Sequence, residues 1–294
     1  MSCILTLVAA GRNLHDHHAE KACALTTLSG DGNKDIPAQW LAPGKALDLA
    51  LDTMPPFDRI IALRAALEDD QIDVLFSTPA NRRKKLLLSD MDGTIIDQET
   101  IDELAALAGV EQHISAITAR AMRGEIDFSD SLRARVALLE GVPVSLLDQV
   151  TQHIKLHEGA ATLISTMRKA GARCVLVSGG FTFCTSFVAE RAGFDDHHGN
   201  ILDIQDHKLT GRVQEPILDH LAKQRLLAQE LEIAGLTADD SIAIGDGAND
   251  LPMLKSAGMA IGFRPKPVIL ESIASCIIHG DLRAALYAQG MTTF

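Results

Sequence analysis

The sequence predicts an α/β protein: a parallel sheet with helices on both faces, an inserted helical cap, and a small α+β unit in front. Three observations predict it. Residues 86–88 are consecutively apolar and end in two carboxylates, Asp90 and Asp92, which suits a strand buried on both faces. From residue 160 onward strand-like and helical patterns alternate, the signature of helices crossing between parallel strands. Between these lie about sixty residues with helical pattern alone, which reads as an insertion over the strand end.

The elements follow in order. Residues 1–80 read as α+β, with a strand at 3–10, helices at 19–28 and 56–67, and a closing strand at 72–76. Residues 77–83 are polar, contain Pro79 and read as a linker. After the strand at 86–88 come helical stretches at 98–108, 111–123, 128–140 and 144–156, broken at Gly109, Gly124 and Gly141-Val142-Pro143. These form the cap, about 98–156. A helix at 160–170 ends on Gly171 at the glycine C-cap position. A β-branched strand at 173–177 runs into Ser178-Gly179-Gly180 and a helix to Ala192. His197-His198-Gly199 reads as loop. Residues 201–213 alternate about a polar turn at 205–208 and read as a hairpin. A helix at 218–232, strands at 241–244, 259–261 and 275–278, and a helix at 282–288 complete the chain.

A length of 294 residues fits one large domain or two smaller ones, here 1–80 and 85–294. A hydrophobic content of 47% with 22% charged residues is that of a globular protein able to bury a core. The net charge of −12 argues against a nucleic-acid surface. It leaves room for an anionic small substrate, because a few cations dominate a pocket. The five cysteines are scattered without zinc spacing, so reduced thiols in the cytoplasm are expected. The apolar run 3–10 is too short to span a bilayer and has no basic stretch before it, so neither a membrane segment nor a signal peptide is expected.

Four separated signals carry chemistry. The first is Asp90-Met91-Asp92-Gly93-Thr94. Two acids at a strand end repel unless a cation lies between them or one holds a proton. A hard divalent cation, an acid nucleophile and a proton-shuttling acid together explain the pair; a solvated Asp-Gly turn is the plain alternative. The second is Ser178-Gly179-Gly180, whose hydroxyl and N–H groups at a helix start suit an anion, and which is also an ordinary turn. The third is Lys223, by itself a solvated charge. The fourth is Gly245-Asp246-Gly247-Ala248-Asn249-Asp250, an oxygen-rich loop suited to Mg2+. Three strand ends with these residues, in this order, are far more specific than any one alone.

The combination resembles the haloacid dehalogenase-like phosphohydrolases, whose core is a Rossmann-like parallel sheet. Within them, residues 90–103, 131–136, 177–181 and 245–250 look like the phosphoserine phosphatases. The resemblance covers roughly residues 85–290 and leaves the first 80 outside; relatives often carry an amino-acid-sensing, ACT-like unit there. Gly93 stands where a serine is common in the subfamily. The resemblance implies a phosphatase that ends serine biosynthesis by hydrolysing O-phospho-L-serine with Mg2+. Asp90 would form an aspartyl-phosphate and Asp92 would move the protons. Asp90, the Asp92 carbonyl and Asp246 would hold the metal, supported by Asp250. Ser178, Gly179 and Lys223 would bind phosphoryl oxygens, with Asn249 behind them. A homodimer is left open.

An amino-acid substrate also needs a cation for its carboxylate and an anion for its ammonium. Arg135 and Glu99 are the candidates. Phe128 and Arg135 lie seven residues apart, within about 20° on an ideal helix, whereas Arg133 points about 140° away from Phe128. Arg135 is therefore favoured as the partner of Phe128, with Met122 a further candidate lining residue. The plain alternatives are a helix-start charge for Glu99, a surface ion pair for Arg135 and core packing for Phe128 and Met122. Competing functions are a related small-molecule phosphatase or phosphotransferase, and a ligand-sensing protein with an unused catalytic domain.

Overall fold

The computed structural model describes residues 2–26 and 38–294, without the side chain of Met122; the end of the helix expected at 19–28 lies outside the described residues. The N-terminal unit comprises β1 (Cys3–Ala9), α1 (Asp16–Thr26), β2 (Gln39–Ala42), β3 (Ala46–Leu51), α2 (Phe57–Leu67) and β4 (Ile72–Ser77). Its strands are antiparallel in the order β2-β3-β1-β4, the split β-α-β arrangement of ferredoxin-like units. Period-two alternation sends Leu5, Leu7, Leu47, Leu49, Val74 and Phe76 to one face, where they pack with Ile60, Leu63 and Leu67 of α2.

The core strands are β5 (Leu86–Ser89), β6 (Arg173–Phe181), β7 (Asp196–Asn200), β10 (Ser241–Gly245), β11 (Met259–Phe263) and β12 (Ser275–Ile277), and β8 (Leu202–Gln205) with β9 (Lys208–Val213) forms a separate hairpin. The helices that follow β5 are α3 (Thr100–Ala108), α4 (Glu111–Met122), α5 (Phe128–Ala137) and α6 (Ser145–His153). The remaining helices are α7 (Ala160–Lys169), α8 (Thr182–Ala192), α9 (His220–Ala234), α10 (Leu251–Ser256), α11 (Pro267–Leu270) and α12 (Ala284–Ala288). The core strands are all parallel, in the order β12-β11-β10-β5-β6-β7. Leu86 and Leu88 face Leu227 and Leu231 of α9 and Met253 of α10, while Leu87 faces the opposite layer with Leu163 of α7 and Val188 of α8. Both faces are thus covered, and an uninterrupted apolar run is what such a strand requires.

Two features depart from expectation. Asp196–Asn200, with its His197-His198-Gly199 tract, is not loop but a strand paired in parallel with β6. As an edge strand it needs only one neighbour and tolerates polar residues, and Arg173 on β6 holds Asp196 at 2.9 Å. The N-terminal sheet is also continuous with the core sheet, because β4 pairs antiparallel with β12 at Val74 and Cys276. Side chains reinforce this seam. Arg64 donates to the Leu270, Ile273 and Ala274 carbonyls at 2.6–3.0 Å, and Asp73 accepts from the N–H groups of Ile278, His279 and Gly280 at 2.7–2.9 Å. Among the described residues no helix is long and apolar enough to cross a membrane.

The four helices after β5 leave and rejoin the core through two adjacent chain segments. Ile96 bridges both Asp92 and Leu156, and the His157 N–H donates to the Ile95 carbonyl at 2.8 Å. The cap's entry and exit are therefore paired directly beside the end of β5, and its 141–144 turn is tied separately to the β8–β9 hairpin, where the Gly141 N–H donates to the Leu209 carbonyl at 2.8 Å and the Leu209 N–H to the Val142 carbonyl at 2.9 Å.

Candidate active site

Strand order explains why distant signals converge. β5 lies between β10 and β6, so the residues after β5, after β10 and near the end of β6 share one edge of the sheet. The chain also reverses its direction of winding at this point, where ligand crevices form in open parallel sheets. The Asp90 N–H donates to the Ile244 carbonyl at 2.9 Å, which continues the β5–β10 ladder into the site. Gly93 adopts φ +68°, and a Cβ there would stand 2.9 Å from Asp246 Oδ2. Glycine lets the turn carrying Asp90 and Asp92 approach the loop carrying Asp246.

Lys223, on α9, is fully buried and donates to Asp90 Oδ1 and Asp250 Oδ1, both at 2.6 Å. Burial alone would lower the lysine pKa; Asp250 and Asp90 hold it above its ordinary value instead. Burial and the Asp250 charge push the Asp90 pKa well up, against the opposing pull of Lys223. Asp250 Oδ2 accepts from the N–H groups of Asp246 and Gly247 at 3.1 and 3.2 Å, and Asn249 Nδ2 donates to its Oδ1 at 3.3 Å. Asp250 thus shapes the loop that presents Asp246.

Asp92 is held differently. Its Oδ1 accepts from the Thr100 N–H at 2.9 Å and its Oδ2 from Ser178 Oγ at 2.8 Å. Burial raises its pKa, while those hydrogen bonds resist the rise. Ser178 Oγ in turn accepts from the Gly180 N–H at 2.8 Å, and Asn200 Nδ2 fixes the Gly179 carbonyl at 2.8 Å.

Asp90, Asp92, Ser178, Gly179 and Asp246 form the floor of a cavity of about 720 Å3 whose other wall is the cap, with Glu99, Phe128, Ser131 and Arg135 among its lining residues. Phe128 lies over Gly179, where a Cβ would meet its ring at 3.1 Å. Arg135 Nε donates to the Ser131 carbonyl at 3.3 Å, and among the described residues no carboxylate pairs with it. Burial lowers its pKa, opposed by Asp102 and Glu99. Arg133 faces elsewhere and pairs with Asp130 and Glu215 at 3.0 and 2.7 Å. Glu99 is the N-cap residue of α3 yet makes no capping bond. Partial withdrawal from water, together with the Asp92 charge, raises its pKa to about 7. The Met122 side chain lies outside the described residues.

Sequence reasoning missed Lys266. Its Nζ lies 2.9 Å from Asp246 Oδ2 and 3.7 Å from Glu99 Oε1, and its N–H donates to the Asp246 carbonyl at 2.8 Å. It follows β11, the strand beside β10, so applying the strand-end rule to a fourth strand would have found it. Thr100 and Asn200 were also missed: Thr100 acts through its own backbone N–H, and the Asn200 side-chain amide acts on the backbone carbonyl of Gly179, pairings that sequence patterns do not reveal.

Oxygen atoms of Asp90, Asp246 and Asp250 lie within 4.8 Å of one another. Three buried carboxylates against the ammoniums of Lys223 and Lys266 leave a negative, all-oxygen donor set, which fits a hard divalent cation.

Comparison with known proteins agrees with this geometry. The family model of haloacid dehalogenase-like hydrolases matches residues 87–255. The phosphoserine phosphatase of Streptomyces coelicolor is 41% identical over 283 residues, which cover 95% of this chain and 69% of the relative. The chain spans just over half the length of two further phosphoserine phosphatases, 56% and 57%. Among solved structures, a haloacid dehalogenase family hydrolase from Salmonella enterica serovar Typhi superposes with a TM-score of 0.85 at 28% identity, covering 98% of each chain. A phospho-aspartyl intermediate analogue of phosphoserine phosphatase superposes with a TM-score of 0.65 at 40% identity, covering 70% of this chain and 98% of that one. A parallel sheet with a cap hinged beside Asp90, the acids gathered at its strand ends and these relatives lead to one assignment: the chain belongs to the haloacid dehalogenase-like hydrolases.

Proposed function

We propose that the chain hydrolyses O-phospho-L-serine to L-serine and phosphate through an aspartyl-phosphate, the reaction that ends serine biosynthesis. One observation carries the substrate. A single cavity has Asp90, Asp92, Ser178 and Asp246 at its floor, with Lys223 buried behind Asp90, and at its cap side Glu99 and Arg135, an arginine with no carboxylate partner among the described residues. A phosphorylated amino acid offers a matching phosphate, carboxylate and ammonium.

Asp90 attacks phosphorus through a carboxylate oxygen and the ester oxygen departs. Asp92, whose raised pKa suits a proton donor, protonates that oxygen and yields serine. Asp92 then takes a proton from water, the hydroxide attacks phosphorus, and the Asp90 carboxylate is released with inorganic phosphate. Ser178, the Gly179 N–H and Lys223 bind phosphoryl oxygens, and their donors are fixed before charge develops. Arg135 orients the substrate carboxylate, Glu99 its ammonium, and Phe128 covers the chamber. Asp90, the Asp92 carbonyl and Asp246 would hold Mg2+, with Asp250 setting their loop; the ion would neutralise phosphoryl charge. We also assign catalysis to residues 85–294, with the first 80 as a separate ACT-like unit, and a cytoplasmic setting.

The test is phosphate release by the purified protein over a panel of O-phospho-L-serine, its D-enantiomer and small alkyl and aryl phosphates, with and without alcohol acceptors. O-phospho-L-serine is expected to give the highest kcat/KM, and activity is expected to vanish on chelation. A flat profile across the panel would overturn the substrate assignment.

A further inference from the structure

A second cavity, of about 370 Å3, lies where the N-terminal unit meets the core and shares no residue with the catalytic one. One wall is the end of β1 and the loop after it, with Gly11 and Arg12, joined by Lys45; the other includes Asp281, Arg283 and Tyr287. Its charges are unbalanced. Lys45 Nζ donates to the Ala10 carbonyl at 2.7 Å, and among the described residues no carboxylate pairs with it. Burial lowers its pKa. Arg12 likewise has no carboxylate partner among the described residues. Asp281 is the one acid in the wall, and Arg283 occupies both its oxygens at 2.9 and 2.7 Å. Two cations therefore face a cavity large enough for a small ligand without an ion-pairing carboxylate among the described residues; Asp281 is the acid that acts most on Lys45, and it is already paired with Arg283.

The same wall reaches the hinge of the cap. Arg283 Nη2 donates to Glu158 Oε1 at 2.6 Å, and the Leu282 N–H donates to the Glu158 carbonyl at 3.2 Å. Glu158 directly follows Leu156 and His157, the residues that return the cap to Ile96 and Ile95. Arg283 lines the same cavity as Arg12 and Lys45, so an anion seated between those two would compete with Glu158 for its guanidinium.

We propose that this cavity is a second ligand site, binding a small oxyanion (carboxylate or phosphate) between Arg12 and Lys45, and that its occupancy shifts the cap hinge through Arg283 and Glu158. A ligand here would let the N-terminal unit modulate catalysis without entering the catalytic cavity. The binding half does not rest on the catalytic reading, because it is measured without substrate.

Calorimetric titration of the full chain with inorganic phosphate and with malonate tests the site and distinguishes the two anion sources. Phosphate is also the product of the proposed reaction, so it should fill two sites per chain in the wild type. Arg12→Met/Lys45→Met should weaken one of them by about tenfold or more, as loss of charge-assisted contacts implies. Arg12 is exposed, so Arg12→Met alone serves where the double variant does not fold. Hydrogen exchange at residues 95–99 and 156–159 should change with the anion in the wild type and not in the variant. One phosphate site in the wild type, unchanged in affinity by either variant, together with no malonate site, overturns the proposal. Binding that leaves exchange at 156–159 unaltered overturns the coupling to the cap.

Discussion

Arg135→Ala separates substrate recognition from phosphoryl chemistry, and the structure sets the size of its effect. Arg135 lines the catalytic cavity, and among the described residues its hydrogen-bond acceptor is the Ser131 carbonyl. Among the described residues no carboxylate forms an ion pair with it, and Asp102 and Glu99 act on it only at longer range, so the direct interaction lost on truncation is the one with substrate. Removing one member of a desolvated, hydrogen-bonded charge pair costs about 2–5 kcal/mol. At about 1.4 kcal/mol per tenfold, kcat/KM for O-phospho-L-serine should fall roughly 30- to several-thousand-fold. An aryl phosphate has no carboxylate and should change far less. Arg133→Ala is the control two residues away. Arg133 is about half exposed and paired with surface acids, where solvent screens the ion pairs, so its loss should leave stability and the rates on both substrates nearly unchanged. The assay is steady-state phosphate release for each enzyme with both substrates. Equal losses on both substrates for Arg135→Ala would place Arg135 in the scaffold, and an equal loss for Arg133→Ala would refute the helical-face reasoning.

Four further outcomes are expected. Asp90→Asn should fold and bind but form no covalent phosphoenzyme; acid-quenched label persisting on the variant would move the nucleophile elsewhere. Glu99, with a pKa raised to about 7, is neutral below that pH and cannot pair with the substrate ammonium, so KM for phosphoserine should rise as pH falls through 7; Glu99→Gln should raise KM and flatten that limb, and an unchanged limb would assign it to another group. Lys266→Met removes a half-exposed, solvent-screened cation 2.9 Å from Asp246 and should tighten Mg2+ binding about tenfold by calorimetry; weaker binding would make Lys266 an organiser of the site instead. Removing residues 1–80 should preserve phosphate release but lower Tm, because the acceptors of Arg64 and the donors to Asp73 lose their partners; a folded truncation without activity would contradict the assignment of catalysis to 85–294.

What the sequence revealed follows from which forces are local. Leu86 to Leu88 read as a doubly buried strand because the apolar run itself encodes that environment. Arg135 separates from Arg133 because helical period is a local property, and the two side chains do face apart. β3 was missed because Ala46-Leu47-Asp48-Leu49-Ala50-Leu51 contains no β-branched residue, and its strand form comes from pairing with β1 and β2. β7 was missed because Asp, His and Gly are poor strand formers, and only the free edge of β6 makes a strand of them. Lys266 was passed over because a lone lysine carries no pattern of its own and only its place after a strand marks it. Its role appears only once β11 lies beside β10. The continuity of the two sheets rests on one residue pair and on Arg64 and Asp73, whose partners are about two hundred residues away in sequence.

The triad of Asp90, Lys223 and Asp250 explains which variants can test this chemistry. All three are buried, and taking such charges from water costs several kcal/mol each, which their mutual attraction repays only with close geometry. Lys223 meets that demand with two contacts at 2.6 Å. Well-packed apolar residues in place of a whole buried ionic group are often neutral or stabilising, so the stability of the fold does not by itself call for these charges. Removing one member alone is another matter. Lys223→Met would strand two carboxylates and cost about 3–5 kcal/mol of stability, so lost activity there could not be separated from unfolding. Asp90→Asn keeps an oxygen to accept from Lys223 while removing the nucleophilic carboxylate. It also relieves the repulsion from Asp250 that helps raise the Asp90 pKa. That substitution should therefore leave thermal stability near that of the wild type while abolishing turnover. A large fall in Tm would mean that Asp90 holds the sheet edge together and that its chemistry has to be probed by another route.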